Sequence, residues 1–222
     1  MGSKTTLAAR DGATIGAYLA IPEGKPKAGL VVLQEIFGVN QHIREVTDGF
    51  AAAGYLAIAP ALFDRVERNA ELGYAEADMG KARALRGAVD PAAAMLDIEA
   101  AVEAVASAGK VGVIGYCWGG TLAYAAAVEL NTIDAAVGYY GSGVAAMADS
   151  KPRVPVILHF GEQDHGIPMS DVEKVIAARP DVPVYIYPAG HGFNCDHRAS
   201  FDGDSAALAL QRTLQFLDEK LA

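Results

Sequence analysis

Short apolar runs rich in β-branched residues alternate along the chain with longer, Ala-rich amphipathic runs. Alternation of this kind is typical of a mostly parallel sheet covered by helices on both faces, which is an α/β fold. The pattern predicts strands over residues 5–9, 14–21, 29–34, 55–59, 110–115, 135–139, 154–160 and 184–187. It predicts helices over residues 43–53, 91–108, 170–178 and 205–221, and another that follows residue 120 and ends at 130. The first two strands flank the turn dipeptide Asp11-Gly12, so they should form an antiparallel hairpin at the sheet edge.

One stretch departs from this alternation, because residues 62–89 are dense in charged side chains, among them Arg83 and Arg86. We expect an irregular or partly helical excursion there, of the kind that often borders a binding cleft. A solvated helical face is the alternative interpretation of the same composition.

Composition limits the class of protein. The chain has 222 residues, 52% hydrophobic and 20% charged, which suits a single large core, so we predict one domain over residues 1–222. A net charge of -9 repels phosphate groups, which argues against nucleic acid and membrane surfaces as partners. We expect a monomer that acts on a small molecule.

Two cysteines without a secretory leader do not suggest a disulfide scaffold, which favours the reducing cytoplasm. No apolar stretch in the sequence approaches the roughly 20 residues that cross a bilayer. The sequence therefore predicts a cytoplasmic protein without a membrane span.

The segment Gly115-Tyr116-Cys117-Trp118-Gly119 has the form G-x-nucleophile-x-G between a predicted strand and a predicted helix. Such a tight turn forces its central residue into a strained conformation and exposes the side chain. The helix N-terminus also favours the thiolate form of a cysteine. Cys117 is the candidate nucleophile, and an inert buried cysteine on a glycine-rich turn is the alternative.

An acid and then a base should follow the nucleophile, each at the carboxyl end of a later strand. Asp164 follows the strand that ends at residue 160, and His191 follows the strand that ends at residue 187. Asp164 would orient His191, and His191 would deprotonate or ion-pair with Cys117. His159 is expected to be a structural histidine, and His165 should face away from the site.

A cluster of residue types that bind metals lies near the end of the chain: His191, Cys195, Asp196 and His197. Their spacing fits no standard zinc motif, and a metal would occupy the base that the elbow requires. We therefore predict no metal.

An oxyanion hole requires the backbone N–H of Trp118 and a second N–H from the loop after an early strand. That loop lies just beyond Gln34 and begins with Glu35. A carboxylate is unusual at this place, because its negative charge opposes an oxyanion.

Four separated segments, 34–40, 115–120, 163–165 and 190–193, together resemble the dienelactone hydrolase family over nearly the whole chain. The resemblance implies a single-domain α/β-hydrolase fold and hydrolysis of an enol lactone or ester through an acyl-thiol intermediate, without a cofactor. It also implies that substrate displaces a carboxylate from the resting thiol and so helps to generate the thiolate. The implied roles are a triad of Cys117, Asp164 and His191, an oxyanion hole from Ile36 and Trp118, and Glu35 on the resting thiol.

The sequence departs from this family at one place. Well-studied members carry an arginine four residues after the catalytic histidine to hold a substrate carboxylate, and here that position is Cys195. Arg83 or Arg86 could supply the missing guanidinium, and Arg198 is close enough in sequence to do so. The predicted substrate-binding residues are Arg83, Arg86, Cys195 and Phe37.

The sequence is also compatible with two other functions. A catalytically weak relative could serve as a small-molecule binder or as a thiol redox sensor, with Cys195 as the resolving thiol for Cys117. An acyltransferase could use the same triad, and the sequence does not separate it from a hydrolase.

Overall fold

Strands and helices alternate along residues 1–221, which are the residues that the computed structural model describes. The strands are β1 (Ser3–Ala8), β2 (Thr14–Ala20), β3 (Gly29–Leu33), β4 (Leu56–Pro60), β5 (Val111–Tyr116), β6 (Ala135–Tyr139), β7 (Val156–Gly161) and β8 (Val184–Tyr187). The helices are α1 (Gln41–Ala52), α2 (Glu76–Ala88), α3 (Pro91–Val105), α4 (Trp118–Glu129), α5 (Met169–Ala178) and α6 (Gly203–Leu221). The predicted α/β class is confirmed by these eight mostly parallel strands and six helices.

The chain divides into two compact units, Met1–Gly112 and Val113–Ala222, here called the first and second units. In the first unit the strand order is β1-β2-β4-β3. The pairs β1–β2 and β2–β4 are antiparallel and β3–β4 is parallel, so the predicted edge hairpin is confirmed. The single domain over residues 1–222 stays a prediction.

In the second unit the strand order is β5-β6-β7-β8, and the pairs β6–β7 and β7–β8 are parallel. Strands β5, β6 and β7 are buried along their whole length, which explains their apolar sequence. The carboxyl ends of parallel strands lie at the same edge of a sheet, so the loops that follow β7 and β8 are neighbours.

Capping residues mark the starts of α1 and α3 more accurately than the pattern of apolar positions does. α1 begins two residues earlier than predicted, because the Asn40 side chain accepts the backbone N–H of Ile43 at 3.2 Å. α3 begins at Pro91 as predicted, and the Asp90 carboxylate caps it by accepting the N–H of Ala92 at 3.1 Å. α6 begins at Gly203, two residues before the predicted start.

The charged excursion is partly helical, as predicted, since α2 occupies its second half. Its first half is tied down by Arg65, whose guanidinium binds the carboxylate of Asp97 on α3 at 2.7 Å and that of Asp11 in the hairpin at 2.7 Å. Asp97 has no exposed side-chain surface. Removal of Arg65 would leave a buried charge uncompensated, at a cost of about 3–5 kcal/mol.

Candidate active site

The turn between β5 and α4 holds Cys117 at φ +55°, a conformation that strains any residue other than glycine. Two backbone hydrogen bonds fix the turn: Cys117 donates to the carbonyl of Tyr139 at 2.9 Å, and Thr121 donates to the carbonyl of Cys117 at 3.2 Å. A Cβ atom on Gly115 would lie 2.0 Å from the carbonyl oxygen of Gly119, so glycine is required there. The strained elbow predicted from the sequence is present.

Trp118 is the first residue of α4, and Cys117 is the residue that precedes the helix. The N-terminal amides of a helix carry partial positive charge, which stabilises a negatively charged atom placed beside them. The Cys117 side chain is half-buried, so the thiol is accessible at this end of the helix.

Asp164 lies in the turn that follows β7, and its side chain has no exposed surface. One carboxylate oxygen, Oδ1, accepts the backbone N–H groups of Gly166 at 2.8 Å and Ile167 at 3.1 Å. The other, Oδ2, lies 2.7 Å from Nδ1 of His191. Because an ionised carboxylate only accepts, His191 donates this hydrogen bond and its Nε2 is left to face another group.

The loops after β7 and β8 are joined by their backbones. Glu162 donates its N–H to the carbonyl of Tyr187 at 2.9 Å, and Gln163 donates to that of Ala189 at 3.0 Å. A Cβ atom on Gly161 would lie 2.2 Å from the Ala189 carbonyl oxygen, so these loops approach more closely than a side chain permits. This contact brings the acid-bearing loop to the histidine-bearing loop.

The pKa of His191 reflects both of its partners. Burial alone would lower it, but the hydrogen bonds of His191 with Asp164 and Cys117, together with the charges of both groups, raise it to about 10. The raised pKa favours the imidazolium form of His191. A positive charge hydrogen-bonded to Cys117 favours the thiolate over the thiol.

Tyr140, at the carboxyl end of β6, was not identified from the sequence. Its φ is +37°, which is a rare conformation for a bulky residue. Its ring packs edge-on against His191 at 5.1 Å between centroids and against Phe193 at 5.4 Å. An aromatic pair followed by glycine at the end of a buried strand, as in 139–141, is the signal that could have indicated it.

His159 is fully buried within β7. Its Nδ1 lies 2.8 Å from the hydroxyl of Tyr187, and its Nε2 lies 3.1 Å from the hydroxyl of Thr213. Burial, and to a lesser extent the charge of Arg212, lowers the pKa of His159 to about 3. This geometry agrees with the predicted structural role, and His165 is exposed, as expected for a residue that faces away.

The first unit contains the remaining catalytic candidates. Glu35 is fully buried, and its Oε2 accepts a hydrogen bond from the Tyr74 hydroxyl at 2.9 Å. Gln34 donates to the backbone carbonyl of Glu35 at 3.3 Å. Phe37 is buried with its ring 4.7 Å from that of Tyr74, whereas Ile36 is half-buried. These contacts hold the Glu35 carboxylate in one position.

The predicted substrate-binding residues differ in exposure. Arg83 and Arg86 are exposed on α2, and Cys195 has no exposed surface. Arg198 packs its guanidinium over Gly192, where a Cβ atom would lie 2.5 Å from Nη1. Gly192 directly follows the active-site histidine in sequence, so this arginine lies beside the candidate site. Substrate binding by each of them stays a prediction.

Comparison with known proteins assigns the chain to a family. The sequence model of the dienelactone hydrolase family matches residues 15–221. The chain belongs to the dienelactone hydrolase family. It is 37% identical over 218 residues to a carboxymethylenebutenolidase of Pseudomonas putida, a match that covers 93% of this chain and 92% of the relative. It is 32% identical over 221 residues to carboxymethylenebutenolidase 1 of Cupriavidus pinatubonensis, covering 95% and 94%.

Solved structures agree with this family membership. A crystal structure from Klebsiella pneumoniae, assigned as a dienelactone hydrolase, superposes with a TM-score of 0.86 at 30% identity and covers 97% of each chain. The predicted α/β-hydrolase fold and the predicted ester or lactone hydrolase are confirmed at the level of the family. Within residues 1–221, no helix combines the length and the apolar character needed to cross a membrane.

Proposed function

We propose that the protein is a cysteine-dependent hydrolase that cleaves a small ester or enol lactone through an acyl-thiol intermediate. The observation that carries this proposal is the hydrogen-bonded series from Asp164 through His191 to Cys117, with the thiol on a strained turn at a helix N-terminus. This series provides a nucleophile, a base and a carboxylate that orients the base, as thiol nucleophilic catalysis requires.

The first half of the reaction forms the acyl-enzyme. The Cys117 thiolate attacks the carbonyl carbon, and the carbonyl oxygen becomes an oxyanion that accepts hydrogen bonds from the N–H groups of Ile36 and Trp118. Collapse of this intermediate breaks the bond to the alkoxide or enolate leaving group. The His191 imidazolium gives its proton to that oxygen, which leaves a thioester on Cys117 and a neutral imidazole.

The second half regenerates the enzyme. Neutral His191 takes a proton from water, and the resulting hydroxide attacks the thioester carbonyl. The carbon–sulfur bond breaks, which leaves the Cys117 thiolate beside the His191 imidazolium, and the product departs as a carboxylic acid that loses its proton to solvent. Asp164 accepts the hydrogen bond from Nδ1 of His191 and so orients the ring with Nε2 toward the reacting atoms.

Glu35 is proposed to contact the resting thiol and to move away when substrate enters. This role comes from the family resemblance and is supported by its complete burial, since a buried carboxylate needs polar partners. Tyr74 supplies one such partner and could retain the carboxylate in either position.

The substrate is proposed to be a small aryl ester or an enol lactone, the class suggested by the carboxymethylenebutenolidase relatives. Cys195 stands where well-studied members carry arginine, so carboxylated lactones should bind less tightly here unless another arginine replaces it. Arg198 is the best placed of the candidates, because its guanidinium lies over Gly192.

A redox sensor would use Cys195 as the resolving thiol that forms a disulfide with oxidised Cys117. No disulfide joins the two cysteines here, and Cys195 is fully buried. An acyltransferase would form the same thioester but pass the acyl group to an alcohol or amine instead of water. Added alcohol or amine would then yield an ester or amide in place of the free acid.

The test is a screen of aryl esters and lactones with the parent chain, Cys117→Ala and the matched control Cys195→Ala. We expect Cys117→Ala to lose turnover to the background rate and Cys195→Ala to retain it. Mass spectrometry of the parent chain after rapid quenching should detect acyl adduct on the peptide that contains Cys117. Retained turnover in Cys117→Ala would contradict the proposal.

A further inference from the structure

The first unit contains a cavity of about 310 Å³ that includes none of the residues assigned to catalysis. Strands β1 and β2 and the loop over residues 61–71 surround it. Its apolar wall consists of small and aromatic side chains: Ala17, Tyr18, Val39, Phe63 and Ala70. Small-molecule sites have volumes from about 300 Å³ upwards and are mostly apolar with a few polar groups, so this cavity suits a small ligand.

The walls of this cavity are fixed by internal contacts. Gln34 lines it, accepts the N–H of Leu62 at 3.1 Å and donates to the carbonyl of Glu35 at 3.3 Å. A Cβ atom on Gly38 would lie 1.9 Å from the carbonyl oxygen of Ala70, so the loop over residues 61–71 packs directly against the backbone of Gly38. A preformed cavity of this kind binds without a large ordering cost.

Charge is distributed unevenly around the cavity. Three cations line it, Lys4, Arg44 and Arg68, against two carboxylates, Asp64 and Glu71. This local excess of positive charge is unusual on a chain whose net charge is -9.

Both carboxylates are already engaged. Asp64 accepts the backbone N–H groups of Gly16 at 2.7 Å and Asn69 at 2.8 Å. Glu71 binds Lys4 at 2.9 Å and also binds Arg44. These contacts stabilise the cavity wall, so neither carboxylate is directed at a ligand.

Arg68 differs from the other two cations. It donates Nη2 to the backbone carbonyl of Thr14 at 2.9 Å, which is a neutral acceptor. That contact orients the guanidinium without compensating its charge. A guanidinium pairs most favourably with a carboxylate, because the two planar groups can form two parallel hydrogen bonds.

We propose that this cavity is an accessory binding site for a small apolar monocarboxylate, whose apolar body fills the cavity and whose carboxylate pairs with Arg68. A carboxylate is also the class of product that ester hydrolysis releases. The ligand would touch Gln34, which is one hydrogen bond away from the backbone of Glu35.

The probe is 2-naphthoate, with the neutral 2-naphthamide as its matched control, titrated by calorimetry into the full chain. Three variants accompany it: Arg68→Gln removes the charge, Ala61→Leu reduces the cavity volume, and Lys25→Gln removes an exposed charge elsewhere in the same unit. Binding does not depend on turnover, so failure here is distinguishable from failure of the proposed function.

We expect 2-naphthoate to bind, Arg68→Gln to raise its Kd about tenfold, and Lys25→Gln to leave it unchanged. Ala61→Leu should abolish binding, and 2-naphthamide should bind equally weakly to the parent chain and to Arg68→Gln. No binding of 2-naphthoate up to about 1 mM, or equal binding to the parent chain and Arg68→Gln, would overturn the proposal. Arg68→Gln alone decides the outcome if Ala61→Leu does not fold, as a melting curve would reveal.

Discussion

Two histidines of the second unit, His159 within β7 and His191 in the loop after β8, are both largely buried, but their pKa values shift in opposite directions. The pKa of His159 falls to about 3 because burial, and to a lesser extent the charge of Arg212, disfavour its cation, and its hydrogen-bond partners are the neutral hydroxyls of Tyr187 and Thr213. The pKa of His191 rises to about 10, although burial acts against it, because its partners are Asp164 and Cys117. Partner charge, rather than depth, separates a structural histidine from one that can transfer protons.

The same contrast determines how each histidine contributes to stability as pH changes. In the folded protein the pKa of His159 is lowered. Its contribution to the free energy of unfolding is therefore complete above the pKa of an unfolded histidine, about 6.5, and is lost as pH falls toward 3. In the folded protein the pKa of His191 is raised. Its contribution to the free energy of unfolding is therefore complete below about pH 6.5 and is lost as pH rises through 10.

The largest expected effect is on turnover. Asp164→Asn and His191→Ala should each lower kcat by on the order of a thousandfold, because the proton-transfer unit fails as a whole. For the same reason the double variant should be little worse than either single variant. Steady-state kinetics on an aryl ester measures this, with melting temperature as the check on folding. Fully additive losses would mean that the two residues act independently.

The second effect is on thiol reactivity. At pH 6 iodoacetamide should alkylate Cys117 on the order of a hundredfold faster than Cys195, since an ordinary thiol has a pKa near 8.5. The imidazolium of His191 favours the Cys117 thiolate, and Cys195 has no exposed surface. Peptide mass mapping over time provides the rates. In His191→Ala the alkylation rate of Cys117 at pH 6 should fall to that of an ordinary accessible thiol, and labelling of Cys195 first in the parent chain would refute the assignment.

The elbow could be predicted because it depends on local rules: a G-x-C-x-G segment between a strand and a helix predicts a tight, strained turn. The hydrogen bond between Asp164 and His191 follows from the adjacency of β7 and β8, which chain order favours but does not fix. The structural role of His159 was also predictable from its place inside an apolar strand.

The partners of these residues could not be predicted, because they depend on which side chains from distant segments meet. Tyr187 and Thr213 reach His159 from β8 and α6, and Tyr74 reaches Glu35 from the excursion. The contact between the rings of Tyr140 and His191 likewise joins segments that are distant in sequence. The capping side chain of Asn40 explains the shifted start of α1 better than hydrophobic periodicity does.

The third effect is on stability. His159→Leu should lower the free energy of unfolding by about 2–3 kcal/mol, because two buried hydroxyls lose their partner. The exposed His165 offers a matched control, and His165→Leu should change the free energy of unfolding by less than about 0.5 kcal/mol. Urea unfolding at pH 7 and pH 5 measures both. The difference between His159→Leu and the parent chain should shrink at pH 5, and growth of that difference would mean that His159 is charged when folded.

The smallest expected effect concerns substrate selection at the loop that carries His191. Arg198→Gln should raise KM for a carboxylated lactone about tenfold and leave KM for a neutral aryl ester unchanged, because only the lactone loses a charge-assisted contact. Arg153→Gln is a suitable control, since that guanidinium binds Val128 and Asn131 instead. Restoring the family arginine by Cys195→Arg is a poorer test, because the site is fully buried and a guanidinium there would be desolvated.

Equal rises in KM for both substrates would mean that Arg198 supports the loop rather than the ligand, as its packing on Gly192 would permit. A selective rise in Arg83→Gln or Arg86→Gln, with none in Arg198→Gln, would assign the carboxylate to α2. In either case His191 would keep its raised pKa, because that pKa depends on Asp164 and Cys117 and not on these arginines. Selectivity and proton transfer are therefore separable at this site, and a variant that changes both would argue against the roles assigned to its residues.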